Sequence, residues 1–135
     1  MEGESNMEFS RLEIITAEEK LPGLVECLSK PGFMQRLHKI GVSGITVSKV
    51  LGCGVQMGTS EYEPKENEIM QLLPKCLVMI VCESRMIDEL LEVIKQELYT
   101  GHIGDGKIFI SDVTNIVRIR TGEEGSAALN KSAVD

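Results

Sequence analysis

The stretch that decides the fold runs from Cys76 to Val113 and reads CLVMIVCESRMIDELLEVIKQELYTGHIGDGKIFISDV. Its first seven residues, Cys76 to Cys82, are apolar at every position, the mark of a strand covered on both faces. Then the period changes. Ile87, Leu90, Leu91, Ile94 and Leu98 recur every three or four residues, while Glu92, Lys95, Gln96 and Glu97 take the other side, so a one-sided helix is predicted. Ser84 is placed to cap it, with Asp88 and Glu89 near its positive end. A glycine-rich turn, Gly101 to Gly106, follows and is closed by Lys107. From there Lys107 to Val113 alternates, with Ile108 and Ile110 on one face and Lys107, Phe109 and Ser111 on the other. The stretch is one β-α-β unit.

Upstream, the same order recurs. Leu12 to Ile15 reads as a strand, and apolar residues from Leu24 to Ile40 keep the helical period across a break at Pro31-Gly32. Gly41 to Gly44 stops that helix, and the β-branched run Ile45 to Leu51 is a second strand. Between this unit and the next lies a segment of about twenty residues without a period, far longer than the usual 4–6 residue connection. It is either a disordered insertion or a protruding surface for a partner. A final short strand is predicted over Ile116 to Arg120. Two β-α-β units in succession predict an α+β, ferredoxin-like βαββαβ sandwich, with an antiparallel sheet and both helices on one side. The bare face of that sheet then needs a second copy of the chain to cover it.

Composition narrows the function classes. At 135 residues and 14.9 kDa the chain makes one domain, set at residues 11–122, between an unstructured extension over 1–10 and a tail over 123–135. The net charge of −7 argues against non-specific nucleic-acid binding, and no apolar run is long enough for membrane insertion. Cys27, Cys53, Cys76 and Cys82 lack metal-site spacing and read as free thiols in a reducing cytoplasmic setting.

An acidic chain with a local basic pocket points to a small anionic ligand. The turn at 101–107 can gather backbone N–H groups around an anion, and Lys107 adds a charge. Arg118 and Arg120, on one face of the predicted strand, are fork-shaped anion ligands about 6.6 Å apart. A plain loop and a solvated edge explain the same residues equally well.

Several blocks taken together resemble the PII nitrogen-regulatory signalling proteins. They are GVSGITVSKV at 41–50, GCGVQMG at 52–58, LLPK at 72–75, TGHIGDGKIFISDV at 100–113 and NIVRIRTGEEGSAAL at 115–129. The resemblance implies a homotrimer binding ATP or ADP in clefts between subunits, with 2-oxoglutarate beside the nucleotide through Mg²⁺. It also implies a long T-loop, here about 54–74, that engages a transporter or metabolic enzyme as its protein target.

Residue by residue, it implies that Gly104, Gly106 and Lys107 hold the phosphates and that Arg118 and Arg120 reach in from a neighbouring subunit. Thr46 would contact the adenine region and Gly54 would sit at the base of the loop. Gln56 would ligate Mg²⁺, and Lys75 and Gly58 would receive 2-oxoglutarate. The chain departs from the family at Val55 and Met57, where many members carry basic residues, and at Ala17, where a Lys is usual. By the same resemblance the modified loop tyrosine of some members falls at Glu68 and the modified serine of others near Glu66, so no covalent switch is expected there, and Tyr62 inherits none. Residues 29–35 are extra. Competing readings are an ATPase, which lacks a Walker Lys-Ser/Thr pair, and an inert trimeric scaffold.

Overall fold

Along β1 (Phe9–Ala17) the side chains of Ser10, Leu12, Ile14 and Thr16 are all buried, while those between them are half-buried. That period of two sets the whole sheet. The computed structural model describes residues 7–29, 44–54, 71–102 and 105–130. After β1 come α1 (Leu21–Ser29), β2 (Ile45–Gly54), β3 (Gln71–Glu83), α2 (Ile87–Leu98), β4 (Lys107–Val113) and α3 (Ser126–Asn130). Single 3₁₀ turns at Glu18–Lys20 and Ser84–Met86 lead into α1 and α2.

The strand order is β2-β3-β1-β4, and every neighbouring pair is antiparallel. Strands from the two halves interleave at the centre, which is the ferredoxin-like arrangement. In the register, Leu12 lies between Ile80 and Ile110, and Ile14 between Val78 and Ile108. Paired residues share a face, so these side chains form one apolar surface. Leu24 and Leu28 of α1 and Leu90, Ile94 and Leu98 of α2 complete the core against it. Full burial of each such leucine contributes about 1.5–3 kcal/mol.

The opposite face carries Ile15 between Leu77 and Lys107, and Glu13 between Met79 and Phe109. Neither α1 nor α2 packs on it, and Phe109 is 52% exposed. The uniformly apolar run of β3 thus has Cys76, Val78, Ile80 and Cys82 in the core and Leu77, Met79 and Val81 half-buried on the bare side. Cys76 and Cys82 are free thiols, and burial pushes Cys82 up to about 11, so neither is a nucleophile at neutral pH.

Four expectations change. Ile116 to Arg120 is not a strand of the sheet. Val117 makes one isolated bridge to Glu124, the Arg118 amide donates to the Glu123 carbonyl at 2.9 Å, and the Gly122 amide donates to the Arg118 carbonyl at 2.8 Å. Gly122, at φ +75°, reverses the chain too soon for an extended run, and Ile119 is 98% exposed.

Ser84 does not cap α2. Its hydroxyl lies 2.6 Å from that of Ser10 and donates to the Met7 carbonyl at 2.7 Å, while Met86 is the N-cap without a side-chain bond. β1 begins at Phe9, which is 4% exposed, so the first two strand residues fall inside the expected extension.

The β2–β3 ladder continues to Gly54 opposite Gln71, so both ends of the expected 54–74 loop are strand. Pro74 hid this. It is tolerated because β1 pairs with β3 only from Lys75 onward, leaving Pro74 with β2 as its single neighbour. The hairpin therefore projects beyond the sheet, with Leu51 and Leu72 about two-thirds exposed at 65% and 64%. The Pro31-Gly32 break, and residues 55–70 with Val55, Met57, Tyr62, Glu66 and Glu68, lie outside the described residues.

Candidate functional site

The glycine turn is tied together by a carboxylate to which the sequence reading gave no role. Asp105 accepts hydrogen bonds from the Thr100 hydroxyl, from the Thr100 amide at 2.8 Å and from the Gly101 amide at 3.0 Å. Lys20 approaches it to 3.9 Å and also donates to the Leu98 carbonyl at 3.0 Å. The Thr100 hydroxyl above all, then the amides and Lys20, lower Asp105 to about 2. Asp is a turn-forming residue because its short carboxylate reaches nearby backbone amides, and the Thr-Gly-x-x-x-Asp spacing carried that signal.

From the other side, the Thr16 hydroxyl donates to the Asp105 carbonyl at 2.9 Å. Gly106 then passes so close to β1 that a Cβ would lie 2.2 Å from the Ile15 carbonyl oxygen, at φ +102°. Only glycine fits there. Lys107 follows as the first residue of β4, exposed and on the bare face opposite Ile15. A cleft of about 600 Å³ opens beside the turn, lined among others by Leu98, Tyr99, Asp105, Gly106, Lys107 and Ile108.

The sequence-predicted residues separate into two groups at opposite ends of the sheet. Gly54, Lys75, Gly106 and Lys107 lie where β1 and β2 finish and β3 and β4 begin. The Lys75 stem crosses Gly52, where a Cβ would stand 3.1 Å from its Cγ. A cavity of about 480 Å³ adjoins it, lined by Lys75, Ala17, Glu18, Glu19, Pro22, Leu73 and Pro74.

Thr46 is the second residue of β2, exposed on the bare face opposite Met79, and eight steps of about 3.3 Å separate it from Gly54. Arg118 and Arg120 come after the far end of β4, whose seven residues hold Lys107 roughly 20 Å away from Val113. Arg118 is half-buried and its Nη2 donates to the Ala128 carbonyl of α3 at 2.6 Å; Arg120 is exposed. One chain thus keeps its glycine turn and its arginines apart. Gln56, Gly58 and Gly104 lie outside the described residues. Among the described residues, no three His, Cys, Asp or Glu side chains gather as a metal site, and no helix is long and apolar enough to cross a membrane.

The sequence profile of the family described as Nitrogen regulatory protein P-II matches residues 9–123. The chain belongs to the P-II family. Among curated P-II proteins, that of Azospirillum brasilense is 36% identical over 111 residues, covering 82% of this chain and 99% of that protein. The P-II protein of Cyanidium caldarium is 40% identical over 121 residues, covering 90% and 99%. A solved structure of the Bacillus subtilis GlnK-ATP complex superposes with a TM-score of 0.67 at 34% identity, covering 90% of this chain and 98% of that one. Arabidopsis thaliana PII bound to citrate superposes at 0.66 and 28% identity, covering 90% and 92%. P-II proteins are regulatory signalling proteins rather than enzymes, which disfavours the ATPase reading. The profile match ends at Glu123, inside the resembling block at 115–129 that runs on into α3.

Proposed function

We propose that this P-II protein is a homotrimeric adaptor that binds ATP or ADP in the seams between subunits and signals occupancy through the loop carried by the β2–β3 hairpin. The carrying observation is the separation of Gly106 and Lys107 from Arg118 and Arg120 along β4. A polyphosphate gripped by both groups must lie between two chains. The bare sheet face supplies the apolar contact that such an assembly needs. That a GlnK of the same family is solved as its ATP complex supports the choice of ligand.

Within a seam, the amides around Gly104 and Gly106 and the Lys107 ammonium receive the phosphates from one subunit. Arg118 and Arg120 close on them from the next, and Thr46 of that same neighbouring copy meets the base. Gly54 stands at the root of the loop. Mg²⁺ would be held by Gln56 and phosphate oxygens, a donor set suited to an ion that keeps few protein ligands. The domain is residues 9–123, with 55–70 as the connection that meets a transporter or metabolic enzyme, in the cytoplasm.

The cavity at Lys75 favours a second reading of the effector set. Glu18 and Glu19 share it, and Ala17 brings no cation, so a dicarboxylate such as 2-oxoglutarate meets two like charges against one ammonium. The protein then senses adenine nucleotides alone. Calorimetry with ATP and ADP is the test, and the expected result is micromolar binding by a species of three 14.9 kDa chains, about 45 kDa in solution. Failure of both nucleotides to bind would refute the sensor, and added heat from 2-oxoglutarate with Mg-ATP would refute the second reading.

A further inference from the structure

We infer that Thr16 is a positioning residue for the nucleotide: by holding the Asp105 carbonyl, its buried hydroxyl fixes the Asp105–Gly106 peptide and aims the Gly106 N–H at the phosphates. This rests on the nucleotide reading above and adds to it a residue of β1 that itself touches no ligand. Thr16 shares the core face of β1 with Leu12 and Ile14 and is 0% exposed. Valine, of the same shape, would fill that place in a strand equally well, so packing alone gives no use for a hydroxyl there. A buried hydroxyl needs a partner, and this one donates to the Asp105 carbonyl at 2.9 Å.

The β1–β4 register ends with Ile15 opposite Lys107, and one step beyond it the Thr16 side chain meets the incoming turn. A trans peptide is planar, with its C=O and N–H pointing to opposite sides. The peptide between Asp105 and Gly106 is trans, so a carbonyl drawn onto the Thr16 hydroxyl turns the Gly106 N–H away from it, out of the core. Among the described residues no acceptor takes that N–H, and Gly106 is exposed. The Asp105 side chain is held separately, through Thr100 and Gly101, which leaves only the rotation of the peptide to be set. Glycine does not set it, because φ of either sign suits glycine, so the choice falls to Thr16. Without the hydroxyl the peptide is free to turn over and present the Asp105 carbonyl, an acceptor, where a phosphate needs a donor.

The test uses the full chain and compares Thr16→Val, which removes the hydroxyl and keeps the shape, with Thr16→Ser, which keeps the hydroxyl and removes a buried methyl group. Thermal denaturation gives the stability of each variant, and calorimetry on the folded protein gives its affinity for ATP. With one charge-assisted hydrogen bond lost, Thr16→Val is expected to bind ATP about ten-fold more weakly, and Thr16→Ser to stay within about two-fold of the wild type. That order should hold whatever order the melting temperatures take, whereas a purely structural role would make affinity follow stability. On the unaltered protein, ATP is expected to move the Gly106 amide proton downfield in NMR spectra, as a new bond to phosphate does. Unweakened ATP binding in Thr16→Val, an equal loss in both variants, or a Gly106 amide that ATP leaves unmoved overturns the inference and leaves the nucleotide site standing. Absence of ATP binding in the wild type overturns the nucleotide reading, and the inference with it.

Discussion

Replacing Gly106 with alanine tests the geometry of the glycine turn quantitatively. An added Cβ would lie 2.2 Å from the Ile15 carbonyl oxygen and 3.0 Å from both Cα and Cβ of Thr16. Ordinary contacts are about 3.4 Å or longer, so β1 and the turn must part by roughly 1 Å, an overpacking cost of about 1–3 kcal/mol. The backbone angle adds to this, because φ +102° suits glycine and costs other residues about 1–2 kcal/mol. Together, roughly 3 kcal/mol lowers the thermal midpoint by about 10 °C for a domain of this size. Gly122→Ala is the matched control: φ is +75° there, but nothing stands within 4 Å of the added methyl group, so only the angular cost of about 1 kcal/mol applies. Thermal denaturation by circular dichroism on both variants separates the two contributions. If Gly106→Ala melts within about 2 °C of Gly122→Ala, the close approach to β1 carries no energy and the reasoning fails.

Asp105 gives a pH dependence of definite sign. Its carboxylate is held at about 2, below its ordinary 3.8, so the tie it makes is fully present above the ordinary value and is lost as pH falls through about 2. Asp105→Asn should lower the urea midpoint near neutrality, and the gap to wild type should close toward pH 2; a gap that persists unchanged contradicts the assignment. In the core, Leu90 is 0% exposed, so Leu90→Ala should cost about 2–5 kcal/mol by urea denaturation. Ile119 is 98% exposed, so Ile119→Ser should change the unfolding free energy by no more than about 0.5 kcal/mol in the same urea assay.

Much of this architecture was legible because burial follows period. The stripe from Ile87 to Leu98 and the alternation of Ile108 with Phe109 read the same in sequence and in space, and so did the order of two β-α-β units. The misreadings arose where one residue's local preference was overruled by its neighbours. Pro74 looked like a strand breaker, yet it sits where β3 has one partner only. Ser84 looked like a cap, but the Ser10 hydroxyl across the sheet claims it. Val117 and Ile119 alternate like a strand, but Gly122 folds them back.

At the site, the glycines and Lys107 announced a turn, while the groups that shape it were silent. Thr16 and Lys20 are about ninety residues away from it in sequence and reach it only through β1 and the 3₁₀ turn that follows. Arg118 was identifiable as a cation. Its hold on Ala128 was not, because nothing in the spacing of the chain shows that α3 returns to cover it.

The seam itself can be tested by complementation. Lys107→Ala and Arg118→Ala proteins should each lose ATP binding as homotrimers while keeping their mass in light scattering. When the two are co-assembled in equal amounts, each seam draws its turn from one chain and its arginine from another. Half the turns and half the arginines are intact, so about a quarter of the seams should regain ATP at wild-type affinity. No recovered binding in trimers shown to be mixed would contradict a site shared between subunits.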